Sequence, residues 1–245
     1  MTRTHLQLVL IAMLFVLAPA VQAQKPMSEY EKKVNERNKV DWPFLNCYRE
    51  ENAKLGPPAA GEKRVVFMGN SITQGWKELS PDYFKGRPYI CRGISGQTTP
   101  QMLVRFRPDV IALKPEVVVI LAGINDIAGN TGPSTLEMIE DNIASMAELA
   151  QAHGIKVILS SVLPAYDFPW NPGVYPAEKI ISLNTWIRSY ASSKGCLYID
   201  YYSSMVDGRK GLMKEYTNDG VHPTAAGYKV MEQLAEVEIA KALKN

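Results

Sequence analysis

From Lys63 onward the chain alternates short, uninterrupted apolar runs with longer stretches of helical periodicity. The runs are RVVFMG at 64–69, PYICRG at 88–93, EVVVILAG at 116–123, IKVILSSV at 155–162 and CLYID at 196–200. The helical patterns are clearest over 134–154, 177–195 and 224–244. Apolar runs without polar alternation suit strands buried on both faces, as in a parallel sheet. Strand–helix alternation then gives an α/β fold, a three-layer α/β/α sandwich on a mainly parallel five-stranded sheet. In such sheets chemistry collects in the loops at the carboxyl ends of the strands.

The chain before this pattern is different in kind. Residues 1–23 carry one basic residue (Arg3), an apolar stretch over 8–18, and the small residues Val21 and Ala23. That is the layout of a secretory signal peptide cleaved near Ala23, which implies a periplasmic or secreted protein. The stretch is short for a membrane span, so no stable membrane insertion is expected. Residues 24–60 start polar and charged and then bring in Trp42, Phe44 and Tyr48. They read as an N-terminal helical extension, one or two helices broken near Pro43 and stopped at Gly56-Pro57-Pro58. The extension is expected to pack on the outside of a domain spanning 61–245, and its function is not legible.

A net charge of +2 and 21% charged residues give no electrostatic ground for nucleic acid or an anionic membrane as partner. Cys47, Cys91 and Cys196 are too few and too scattered for a disulfide framework and read as buried small hydrophobes. Past the leader only His153 and His222 remain as histidines, so neither a metal site nor a cofactor is expected. No feature speaks to oligomeric state.

Four loops fall at one edge of a parallel sheet: Gly69-Asn70-Ser71, RGISGQTT at 92–99, LAGINDIAGN at 121–130 and NDGVHPTAAGY at 218–228. A serine after a strand and before a helix is commonly an N-cap, and Ser71 alone would be read so. Acyl transfer from an ester, however, needs a hydroxyl nucleophile, an imidazole to take its proton and a carboxylate to orient the ring. It also needs donors aimed at the oxyanion. Ser71 supplies the hydroxyl and one backbone N–H, Gly96 another N–H, and Asn125 a side-chain amide. Asp219 and His222, three apart in a turn, supply the rest. Asp126 reads as structural, bonding nearby backbone, and His153 is assigned no role.

Taken together, Gly69-Asn70-Ser71-Ile72, Gly93-Ile94-Ser95-Gly96, Gly123-Ile124-Asn125-Asp126 and Asp219-Gly220-Val221-His222 resemble the four motif blocks of the SGNH hydrolase (GDSL esterase/lipase) superfamily, in the family's order. The resemblance covers about 63–240. It implies a flavodoxin-like sandwich and a metal-free serine esterase in which Ser71 is nucleophile, His222 base and Asp219 its partner. The oxyanion hole is then Ser71, Gly96 and Asn125. Asn70 stands where the nickname motif has Asp, and Cys91 where many members carry Asn. Gly-x-Ser-x-Gly is absent around Ser71, which argues against an α/β-hydrolase elbow.

The expected activity is hydrolysis of short acyl esters, acetyl foremost, on a carbohydrate by an exported enzyme, with a small-molecule or glycan ester as its partner. The alternatives are a lipid-directed acylhydrolase of the same mechanism (lysophospholipase, lipase or thioesterase) and an acyltransferase. A non-catalytic binding protein would have no need of the Ser71–Asp219–His222 set. Candidate pocket residues are Trp76 and Arg92, close to the catalytic loops in sequence, and Tyr166 and Trp170 in the aromatic stretch PAYDFPWNPGVYP at 164–176.

Overall fold

The computed structural model describes residues 29–244, so the leader read over 1–23 lies outside the described residues. In chain order the elements are α1 (Glu29–Val40), α2 (Arg49–Leu55), β1 (Val65–Gly69), α3 (Ser71–Leu79), α4 (Pro81–Phe84), β2 (Tyr89–Gly93) and α5 (Thr99–Asp109). Then come β3 (Val117–Leu121), α6 (Ile124–Ile127), α7 (Leu136–Ala152), β4 (Lys156–Ser160) and α8 (Ala177–Ser193). The chain closes with β5 (Leu197–Ile199), α9 (Tyr201–Met205) and α10 (Ala225–Lys244). The strands form one parallel sheet of order β2-β1-β3-β4-β5. Strand order reverses between β1 and β3, which opens a crevice at their carboxyl ends, the usual ligand position in a doubly wound sheet.

Period-2 alternation of the strands divides the core into two faces. Val66, Met68, Val118, Ile120, Val157 and Leu159 face one layer, against Met102 and Phe106 of α5, Ile143 and Met146 of α7, and Leu183 and Ile187 of α8. Val65, Phe67, Val117, Val119 and Ile158 face the other, against α3, α4, α9 and α10. This is the three-layer sandwich expected from the alternation. Among the described residues no helix is long and apolar enough to cross a membrane.

The second face holds an aromatic cluster, and Trp76 is at its centre. Its ring stacks on Tyr83 (centroids 5.1 Å apart) and on Tyr228 (5.8 Å), and meets Phe67 edge-on at 5.5 Å. Only 2% of Trp76 is exposed, so it is a core residue and not a wall of the substrate pocket. The reason lies in helix geometry: five residues beyond Ser71 at about 100° per residue, it points to the far side of α3. Cys91 and Cys196 are buried as expected, but Cys47 is exposed. We expect Trp76→Ala to lower the unfolding free energy by about 3–5 kcal/mol, read from urea midpoints. An unchanged midpoint would contradict the core assignment.

Candidate active site

The stretch after β1 separates capping from the serine hydroxyl. Asn70, not Ser71, is the N-cap of α3: its side-chain oxygen accepts from the Ile72 N–H at 3.0 Å. Ser71 is thus the first helical residue, with its hydroxyl unspent on the helix. Its Oγ lies 2.9 Å from Nε2 of His222, 151 residues away.

The turn before α10 holds the imidazole in place. His222 Nδ1 is 2.6 Å from Oδ2 of Asp219. Asp219 Oδ1 accepts from the backbone N–H groups of Val221 (2.9 Å) and His222 (2.8 Å), so the carboxylate cannot swing away from the ring. Burial pushes the Asp219 carboxyl up, but these N–H donors and the His222 ring outweigh it and hold the group below its ordinary value. Thr217, which the motif reading passed over, closes the turn: its hydroxyl accepts from the Gly220 N–H (2.9 Å) and donates to the His222 carbonyl (2.9 Å). A carboxylate, an imidazole and a hydroxyl are therefore aligned with Nδ1 fixed and Nε2 turned to the serine.

Three further candidates lie in the loops at the same edge of the sheet. The backbone N–H groups of Ser71 and Gly96 have no acceptor among the described residues. Gly96 adopts φ +77°, a region that favours glycine. Asn125, on α6, is buried and directs one amide hydrogen to the Gln97 carbonyl at 2.9 Å, which fixes its plane and leaves the second hydrogen uncommitted.

The loops also tie to one another. Asp126 accepts from Thr99, through its N–H (3.0 Å to each oxygen) and its hydroxyl (2.6 Å), joining α6 to the start of α5. Asn130 donates to the Gly96 carbonyl (3.2 Å) and accepts from the Trp170 indole N–H (3.2 Å). Trp170 is 42% exposed, stacks on buried Phe168 at 5.1 Å, and its ring centre is 6.0 Å from that of His222. Of the four pocket candidates, Trp170 is brought beside His222. Tyr166 packs against Tyr175 (5.9 Å) and under the Arg209 guanidinium (5.2 Å).

Arg92 is not a pocket residue. It is 3% exposed, its guanidinium lies 4.5 Å over the Tyr48 ring, and it donates to Asn52 Oδ1 (2.9 Å) and to the Cys91 carbonyl (2.7 Å). The β2 pleat turns it to the face that α2 covers. Cys91, across the pleat, donates its thiol to the Thr73 carbonyl at 3.2 Å. His153 sits at the end of α7, with Nδ1 2.7 Å from the Leu149 carbonyl and no contact with this site. Among the described residues no group of three His, Cys, Asp or Glu side chains gathers as metal ligands.

Asp126 carries a measurable signature. Burial raises its carboxyl from 3.8 to about 6, against the opposing bonds from Thr99. The folded protein then binds a proton that the unfolded chain has released, so stability falls as pH rises through that window. The loss is on the order of 2–3 kcal/mol. We expect Asp126→Asn to remove this falling component from unfolding free energies measured between the two values. Parallel pH profiles for both proteins would contradict it.

Residues 67–230 match the family model described as GDSL-like Lipase/Acylhydrolase family. The chain is 29% identical over 170 residues to esterase TesA of Pseudomonas aeruginosa, covering 68% of this chain and 78% of that one. It is 28% identical over 220 residues to an acetylxylan esterase of Xylanibacter ruminicola, covering 74% of this chain but only 43% of that one. The crystal structure of a GDSL-like lipase from Bacteroides thetaiotaomicron superposes with a TM-score of 0.81 at 53% identity, over 82% of this chain and all of that one. The chain therefore belongs to the GDSL-like lipase/acylhydrolase family within the SGNH hydrolases, and is a carboxylic ester hydrolase.

Proposed function

We propose that this protein is an exported serine esterase that removes short acyl groups, acetyl foremost, from a carbohydrate. The observation that carries the reading is the aligned relay Ser71 Oγ–His222 Nε2–Asp219, at 2.9 and 2.6 Å. His222 Nε2 takes the Ser71 proton as Oγ attacks the ester carbon, and Asp219 steadies the imidazolium that forms. The carbonyl oxygen becomes an oxyanion among the Ser71 and Gly96 N–H groups and the Asn125 amide. Collapse breaks the bond to the alcohol, which leaves with the proton from His222. Water then attacks the acyl-enzyme with His222 again as base, releasing the acid and restoring Ser71.

The leaving alcohol must approach Nε2 of His222, so the exposed face of Trp170 beside that ring flanks the alcohol side. Phe168 beneath it and the bond to Asn130 keep the indole rigid, as a platform for a flat, partly apolar sugar ring requires. The acetylxylan esterase among the relatives supports the same substrate class. Export is supported by the composition of residues 1–23. A lipid substrate and transfer to an alcohol acceptor are the competing uses of one acyl-enzyme.

An ester panel tests this reading, with variants as controls. We expect acetylated sugars and short-chain esters to be turned over faster than octanoyl and longer esters, and Ser71→Ala to abolish turnover. Asn125→Ala is expected to cost about 10²–10³ in kcat, the penalty for losing one oxyanion donor. Preference for long acyl chains would overturn the substrate assignment, and wild-type rates in Ser71→Ala would overturn the mechanism.

A further inference from the structure

The N-terminal extension does more than pack on the outside. Its 41–55 segment reaches the loop after β2, which carries the unspent Gly96 N–H. Asp41 organises the segment's first turn, its carboxylate accepting from the N–H groups of Leu45 (2.8 Å) and Asn46 (2.9 Å). That turn presents two carbonyls: Pro43 accepts from Gln97 Nε2 and Trp42 from Gln101 Nε2, each at 2.7 Å. Further along, the buried Tyr48 hydroxyl donates to the Gly93 carbonyl while its ring carries the Arg92 guanidinium. Asn52 ties α2 to α5 through Asp109 Oδ1, at 2.7 Å.

Both ends of the 93–97 loop are thus fixed by this segment, and each end bears on a catalytic group. Gly93 lies hard against the first turn of α3: a Cβ there would sit 2.2 Å from the Gln74 nitrogen and 2.8 Å from the Asn70 oxygen. The Tyr48 bond therefore sets the strand end against the turn that carries Ser71. At the other end, the Gln97 side chain is bonded to Pro43 while its carbonyl orients the Asn125 amide. Between them stands Gly96.

We infer that the 41–55 segment is a positioning element for the oxyanion hole, with Tyr48 and the Asp41-capped turn as its two points of grip. The inference rests on the proposed roles of Ser71, Gly96 and Asn125. Tyr48 is held as a donor by burial, which drives its phenol far above the ordinary range. A single such bond contributes little to global stability, about 0.5–1.5 kcal/mol. A displacement of the donors it positions is felt much more strongly in the rate.

Tyr48→Phe keeps the ring over which Arg92 lies and removes only the hydroxyl; Asp41→Ala loosens the other grip from a half-buried position. Each is assayed with p-nitrophenyl acetate, with an alkylboronic acid as tetrahedral analogue, and again in the Asn125→Ala background. The expected result for Tyr48→Phe is a kcat reduced about tenfold or more at unchanged KM, with boronate affinity reduced in step. Asp41→Ala shows the same split to a lesser degree, and both effects shrink once Asn125 is already alanine. Anchoring without positioning would leave kcat and boronate affinity at wild-type values, or give losses that simply add to that of Asn125→Ala; either result overturns the inference. Ester turnover by the wild type that is lost in Ser71→Ala upholds the underlying reading independently. A wild type inactive on the ester panel overturns both.

Discussion

The buried guanidinium of Arg105 is the point on which the catalytic edge depends. It is wholly buried and makes four hydrogen bonds: to the Gly69 carbonyl (2.9 Å), the Arg92 carbonyl (2.9 Å), the Gln97 side-chain oxygen and Asp109 (2.9 Å). Burial works against its charge, and the Asp109 carboxylate opposes that cost. Because the guanidinium fork is rigid and planar, its acceptors are fixed relative to one another. Besides Asp109 on its own helix, those acceptors are the end of β1 just before Ser71, the end of β2, and the loop holding Gly96. An uncharged side chain of similar size would fill the volume but leave three elements unregistered.

From that centre the site is built by spending polar groups until few remain. Asn70 caps α3, Gln97 is gripped on both sides, Asn130 holds the Gly96 carbonyl, and Asp126 fixes the start of α5. Among the described residues the Ser71 and Gly96 N–H groups have no acceptor and Asn125 spends one amide hydrogen, on Gln97; these are the donors proposed for the oxyanion. Donors held in place before substrate arrives need no reorganisation when charge develops on the carbonyl oxygen.

The fold and the four loops were legible because each left a chemical mark in the sequence: uninterrupted apolar runs for buried strands, and short polar blocks at their ends. What failed was the step from nearness in sequence to nearness in space. Trp76 lies five residues from Ser71, yet helix rotation buries it under Phe67; Arg92 immediately precedes the second block, yet the pleat turns it to Tyr48. Arg105, Gln97 and Tyr48 left no mark: apart from Asp109, four residues from Arg105, their partners lie 8 to 54 residues away, and polar side chains in such a stretch look like solvated surface. Thr217 is hidden in the same way: a threonine two residues before Asp219 carries no signal until the turn closes around its hydroxyl.

The central claim is that acyl transfer passes through Ser71. The most direct measurement is mass spectrometry of the protein after reaction with a fluorophosphonate, with peptide mapping of the adduct. The account predicts one covalent modification per chain, on Ser71. An adduct on another residue, or full inhibition with no adduct, would contradict it.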